Sequence, residues 1–139
     1  SDGDDIALLS IGHVGNSITE IRDRLIAAGI SLAHYDMRYL KPIDEKILHQ
    51  VFRKFKNIVT LEDGTIVGGL GSAVLEFMSD HKYDASVTRL GVPDRFIEQG
   101  SVEELQKECG YDAEGIFNAI LQIVSKDNKI LHMQANNRN

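Results

Sequence analysis

Ile6-Ala7-Leu8-Leu9-Ser10-Ile11, an almost unbroken apolar run closed by Gly12, decides the fold class. A strand with one wet face alternates apolar and polar residues. A run without that alternation belongs to a strand covered on both faces, as in a parallel sheet between two layers of helices. The run is therefore expected at the centre of such a sheet. Downstream, Ser17 and Glu20 have the spacing of a capping box, and Ile18, Ile21, Leu25 and Ala28 recur on one helical face up to Gly29. Residues 30–36 return to strand character. A second helix is predicted from about Asp44, with Ile47, Leu48, Val51, Phe52 and Phe55 on its buried stripe. Ile58-Val59-Thr60-Leu61 reads as another buried strand, and after the glycines at 68, 69 and 71 the residues Leu70, Ala73, Val74, Phe77 and Met78 fall at helical spacing.

The strand pattern weakens over Ser86 to Leu90, where polar Thr88 and Arg89 suit a sheet edge. Ser101 with Glu104 predicts a short helix ending at Gly110, and Asp112 opens a last helix with Ile116, Phe117, Ile120, Leu121 and Val124 inward. Residues 1–126 form one domain in this reading, and the polar residues 127–139 a disordered tail. Strand and helix alternating every 25 to 30 residues imply right-handed crossovers and an α/β fold, a three-layer αβα sandwich on a mainly parallel sheet. Ligands meet such a sheet at the carboxyl ends of its strands, here the loops after Ile11, Asp36, Leu61 and Leu90.

Composition sets further bounds. The 139 residues are 42% apolar with 12 Gly and 2 Pro, which suits one globular domain and excludes low-complexity classes. Fifteen Lys and Arg against 21 Asp and Glu leave a net charge of −6, so no nucleic-acid partner is expected. No apolar run approaches the roughly 20 residues that span a bilayer, so no membrane partner is expected either. One cysteine, Cys109, allows no internal disulfide, and a cytoplasmic location follows. Ser1-Asp2-Gly3-Asp4-Asp5 carries no Met and no signal-peptide pattern, as expected of a boundary inside a longer polypeptide.

The candidate sites are individually incomplete. Gly12-His13-Val14-Gly15-Asn16-Ser17 enters a helix N-terminus that could hold an anion, but it lacks both the Gly-x-Gly-x-x-Gly spacing and a P-loop Lys, and reads as an ordinary turn. Its Gly-Asn-Ser-x-Thr-Glu run superficially suggests a flavin phosphate site and hence a free-standing flavodoxin-like module; the 6% aromatic content argues against it. Glu62 and Asp63 could form a carboxylate pair, yet neighbours on an extended chain point apart. The glycines at 68, 69 and 71 with Ser72 favour close packing against another chain segment. Asp36, Arg38 and Lys41 at a strand's carboxyl end could grip an anion, or fix the loop against a neighbouring domain, which is the preferred reading. The histidines at 13, 34, 49, 81 and 132 show no metal-ligand spacing, and Cys109 reads as an inert thiol.

In order, Asp36-Met37-Arg38-Tyr39-Leu40-Lys41-Pro42-Ile43-Asp44-Glu45, Val59-Thr60-Leu61-Glu62-Asp63-Gly64, Gly68-Gly69-Leu70-Gly71-Ser72-Ala73-Val74 and Leu90-Gly91-Val92-Pro93-Asp94-x-Phe96-Ile97 lie along one chain. Together they resemble the C-terminal domain of the transketolase-like thiamine diphosphate enzymes, and within them the 1-deoxy-D-xylulose-5-phosphate synthase family. Gly110-Tyr111-Asp112-Ala113-Glu114-Gly115-Ile116 is similar to that family's ending. Glu62-Asp63 stands where the family often has Glu-Glu or Glu-Asn, and Gln99 where it often has His. The resemblance implies the strand order 2-1-3-4, with a fifth, antiparallel strand from residues before Ser1. It implies thiamine diphosphate and Mg2+ in the whole enzyme but none bound by this chain, whose catalytic, cofactor and metal residues are therefore none. The implied partners are the N-terminal and middle domains of the same enzyme, in a homodimer. Asp36, Arg38, Lys41, Glu62, Gly68, Gly69, Gly71 and Ser72 would then sit at interdomain or dimer contacts.

Overall fold

The computed structural model describes residues 5–12, 18–38, 42–65, 69–92 and 102–137. Strands and helices alternate as β1 (Ile6–Ile11), α1 (Ile18–Ala27), β2 (Leu32–Asp36), α2 (Glu45–Lys54), β3 (Asn57–Thr65), α3 (Leu70–Asp80) and β4 (Ser86–Val92), followed by α4 (Val102–Cys109) and α5 (Ala113–Asn137). Among the described residues the sheet has four strands in the order β2-β1-β3-β4, all parallel. The expected order 2-1-3-4 is thus observed, with β1 inside the sheet and β4 at an edge.

The unbroken apolar run of β1 is explained by its two neighbours in the third dimension. Ile6 and Leu8 join Ile18, Ile21 and Leu25 of α1 and Ile116 and Ile120 of α5 in one core. Ala7 and Leu9 join Leu48, Val51 and Phe52 of α2 and Leu70, Val74 and Phe77 of α3 in the other. Successive residues point to opposite faces, so burial on both faces favours apolar side chains at every position, and the one polar residue of the strand, Ser10, is hydrogen-bonded to His34. Ile6, Ala7, Leu8 and Leu9 are all fully buried. Cys109, partly buried, packs against the α1 and α5 core.

The helical stripes follow the predicted periods with small departures. Ile18, Ile21 and Leu25 are buried in α1, whereas Ala28 lies past the helix end and is exposed. The N-terminus of α2 is capped by Asp44, whose Oδ1 accepts the Ile47 N–H at 3.1 Å. Asp112 does the same for α5, accepting the Gly115 N–H at 2.8 Å. Ser17 and Ser101, the other expected caps, lie outside the described residues. The largest difference concerns the expected tail: α5 does not stop near Lys126 but continues to Asn137. Residues 116–137 contain neither Gly nor Pro, so a helix nucleated on the buried first turns propagates on backbone hydrogen bonds without a buried face. The Asn57 amide of β3 donates to Asp127 and ties down the start of this extension.

The carboxyl end of the sheet as candidate functional site

Strand register gathers the candidate residues. Ser10 pairs with Asp36 on one side of β1, and Ile11 pairs with Glu62 on the other. Asp36 and Glu62 therefore stand at the same end of the sheet, two interstrand spacings or about 10 Å apart. Their surroundings differ.

Glu62 is 3% exposed. Its Oε1 accepts the Leu70 N–H at 3.0 Å and its Oε2 the Gly71 N–H at 2.9 Å. The first N–H groups of a helix have no intrahelical partner, and Gly69 at the N-cap has no side chain to supply one. The strand carboxylate fills that role, and its negative charge meets the positive end of the α3 dipole. The glycine at 71 is a steric requirement: an added Cβ would lie 2.6 Å from Arg89 Cδ and 2.9 Å from Thr60 Oγ1. Thr60, fully buried two residues before Glu62 on the same face, has a hydroxyl without a hydrogen-bond partner among the described residues. Ser72 is half-buried in the first turn of α3. Lys41 and Gly68, and the loop that carries His13, lie outside the described residues.

On the β2 side the arrangement is open. Asp36 and Arg38 are exposed, while Met37 between them is 2% exposed and belongs to the α2 and α3 core. They border a groove of about 490 Å³ that Pro42, Ile43 and Ile47 complete. Just below it, Ser10 Oγ lies 2.7 Å from His34 Nε2. Burial pushes the His34 imidazole below its ordinary value, and Asp36 two residues on opposes that shift. Ser10 is 1% exposed, which seals it from a substrate and makes the pair a link between β1 and β2. This pair was hidden in the linear sequence, although a lone hydroxyl inside an apolar run does signal that a partner must exist. Also unforeseen is a ring cluster on the α2 and α3 side, where His49 Nδ1 lies 2.6 Å from the Tyr83 hydroxyl and the His81 ring stands edgewise 4.6 Å away.

Among the described residues no group of three or more His, Cys, Asp or Glu side chains converges on one point. The buried carboxylate at this end, Glu62, already has both oxygens engaged by backbone N–H groups. No helix among the described residues is long and apolar enough to cross a membrane.

Comparison with known proteins places these features. The sequence profile of the family described as Transketolase, C-terminal domain, matches residues 1–116. The 1-deoxy-D-xylulose-5-phosphate synthase of Cytophaga hutchinsonii is 57% identical over 120 residues, covering 86% of this chain and 19% of that protein. That of Bacteroides thetaiotaomicron is 52% identical over 122 residues, with 87% and 19% covered. The chain thus spans about a fifth of the length of these curated relatives. A solved chain of a split-gene transketolase in an inactive beta4 tetramer has a TM-score of 0.78 at 32% identity, over 87% of this chain and 39% of that one. Transketolase from Campylobacter jejuni, at a TM-score of 0.58 and 16% identity over 88% of this chain and 17% of that one, shares the fold. The parallel sheet ordered 2-1-3-4, its two helical layers and the profile match over most of the sequence have one reading: the chain belongs to the family of transketolase C-terminal domains.

Proposed function

We propose that this chain serves as the C-terminal, structural and dimer-supporting domain of a 1-deoxy-D-xylulose-5-phosphate synthase. The observation that carries the reading is the 57% identity to such a synthase across 86% of the chain. The whole enzyme would condense pyruvate with glyceraldehyde 3-phosphate, releasing CO2, to supply precursors of isoprenoids, thiamine and pyridoxal. Its thiamine diphosphate and Mg2+ would be held by the N-terminal and middle domains, in a homodimer in the cytoplasm. The cofactor supplies the electron sink, and the protein supplies binding and positioning. The part left to this chain is to hold the other domains in register through Asp36, Arg38, Lys41, Glu62, Gly68, Gly69, Gly71 and Ser72.

A second reading, the same domain of a transketolase, is favoured by the 32% identity to the solved split-gene chain. The two differ in the donor of the two-carbon unit, and an assay of the complete polypeptide that carries this domain separates them. The first reading expects 1-deoxyxylulose 5-phosphate from pyruvate and glyceraldehyde 3-phosphate, and no product from the present 139 residues alone. Turnover of a ketose phosphate in place of pyruvate would transfer the assignment to transketolase. Product formed by the isolated chain would overturn its assignment as a structural unit.

A further inference from the structure

We infer that His49 and His81 form a site for one divalent transition-metal cation, of the class that takes imidazole nitrogen, with Tyr83 orienting His49. The inference goes beyond the enzymatic reading and does not depend on it.

The two histidines stand far apart in the sequence, and the fold brings them together. His49 lies on α2, and His81 is the C-cap of α3. Their ring centroids are 4.6 Å apart, with the planes at 77°. Two imidazole nitrogens held about 2.1 Å from one metal, at roughly a right angle, put their ring centroids about 4.5 Å apart. The observed spacing is therefore that of adjacent ligands on one cation. The Phe77 ring packs against both, its centroid 4.8 Å from that of His49 and 4.2 Å from that of His81. Rotation about the last side-chain torsion of a histidine is soft, so exposed His81 needs only that motion to aim a nitrogen at the shared point.

The other nitrogen of His49 already has the partner that a metal ligand requires. His49 Nδ1 lies 2.6 Å from the Tyr83 hydroxyl. With Nδ1–H donating to that oxygen, Nε2 carries the lone pair that a metal takes, and such a fixed partner is the usual companion of a ligating histidine. Tyr83 is itself stacked on Phe52 at 5.1 Å. Lys82 has a φ of 56°, the left-handed conformation uncommon outside glycine, and the turn it makes leaves the rings of His81 and Tyr83 6.4 Å apart. The His81 imidazole makes no hydrogen bond or ion pair among the described residues. His34, by contrast, faces Ser10, and His132 lines a separate groove beside Asp5 and Asp127.

The ligand count sets the class and strength of binding. No third His, Cys, Asp or Glu joins the pair among the described residues, so water completes the shell. Imidazole nitrogen suits Ni2+, Cu2+ and Zn2+, whereas Mg2+ and Ca2+ take oxygen. A net charge of −6 favours the approach of any cation, and the two rings supply the selectivity.

Calorimetric titration of the chain with Ni2+ tests the site. One ion should bind per chain with a dissociation constant of about 10–100 µM, and Mg2+ over the same range should give no saturable signal. His81→Gln, at an exposed position, should leave the melt of the metal-free chain unchanged and raise the constant about tenfold or more. Tyr83→Phe keeps the ring stack and should raise it about threefold or more, while His132→Gln leaves it unchanged. With Zn2+, the imidazole nitrogen resonances that shift should be those of His49 and His81. Ni2+ should raise the melting temperature of the parent but not of His81→Gln. No saturable binding up to about 1 mM Ni2+, or a constant unmoved by His81→Gln, overturns the site. A constant unmoved by Tyr83→Phe overturns the orienting role.

Discussion

Glu62 concentrates the logic of this end of the sheet in one side chain. A carboxylate accepts at both oxygens, and here both face backbone N–H groups of α3. In Glu62→Gln one acceptor becomes an NH2 donor aimed at another donor, so one hydrogen bond is lost and two donors collide. The expected cost is about 1–3 kcal/mol, the range for hydrogen bonds to charged groups and for helix caps. Urea denaturation checks it, and a loss under about 0.5 kcal/mol would show that the cap is dispensable. His34 makes the second prediction at this scale. Its folded-state value is lowered by burial, so the folded chain favours the neutral imidazole while the unfolded chain takes up a proton near pH 6.5. Its contribution to stability is full above about pH 6.5 and is lost as pH falls below that toward the lowered folded value. The difference in unfolding free energy between pH 7.5 and 5 should therefore shrink in His34→Gln; an unchanged difference would place the acid sensitivity elsewhere.

At the scale of elements, the start of α5 is a packing problem solved by a missing side chain. A Cβ on Gly115 would lie 2.2 Å from the Gly110 carbonyl oxygen, a backbone atom held by the turn that ends α4. Gly115→Ala should destabilise by about 1–3 kcal/mol, the range for overpacking, even though alanine is the better helix former. A variant that melts at or above the parent temperature would contradict this. Beside it, Arg24 of α1 reaches Glu114 and covers the Phe117 ring at 4.2 Å, an exposed pair that aligns two helices without adding much stability. Further along, α5 outruns the core, and its last turns rest on backbone hydrogen bonds and the Asn57 to Asp127 tie. The polarity after Lys126 suggested disorder, but polarity reports burial, and a helix already nucleated does not need burial to continue for about three more turns.

For the molecule as a whole, the proposed division of labour has a thermodynamic signature. A ligand that binds the native state raises its melting temperature by mass action. Thiamine diphosphate with Mg2+ at millimolar concentration should leave the melting temperature of this chain unchanged. The same addition should raise that of the complete enzyme. A rise of several degrees for the isolated chain would mean that it holds the cofactor itself.

The amino-acid sequence by itself determined the layers of this protein. The unalternating run at Ile6 to Ile11, the helical stripes at Leu48, Val51 and Phe52 and at Leu70, Val74 and Phe77, and the polar edge strand at Thr88 and Arg89 report burial, and burial follows local periodicity. The interface candidates at Asp36, Arg38 and Glu62 were legible as residues, because they lie at strand ends where a parallel sheet keeps its free loops. Only the tertiary structure decided what each of them does. It turned Glu62 inward onto the N–H groups of Leu70 and Gly71, left Asp36 and Arg38 exposed at a groove, and joined Ser10 to His34 across 24 residues. Those outcomes depend on which residues register and packing bring within about 3 Å, and a hydrogen bond, unlike a buried face, has no period along the chain from which its partner can be read.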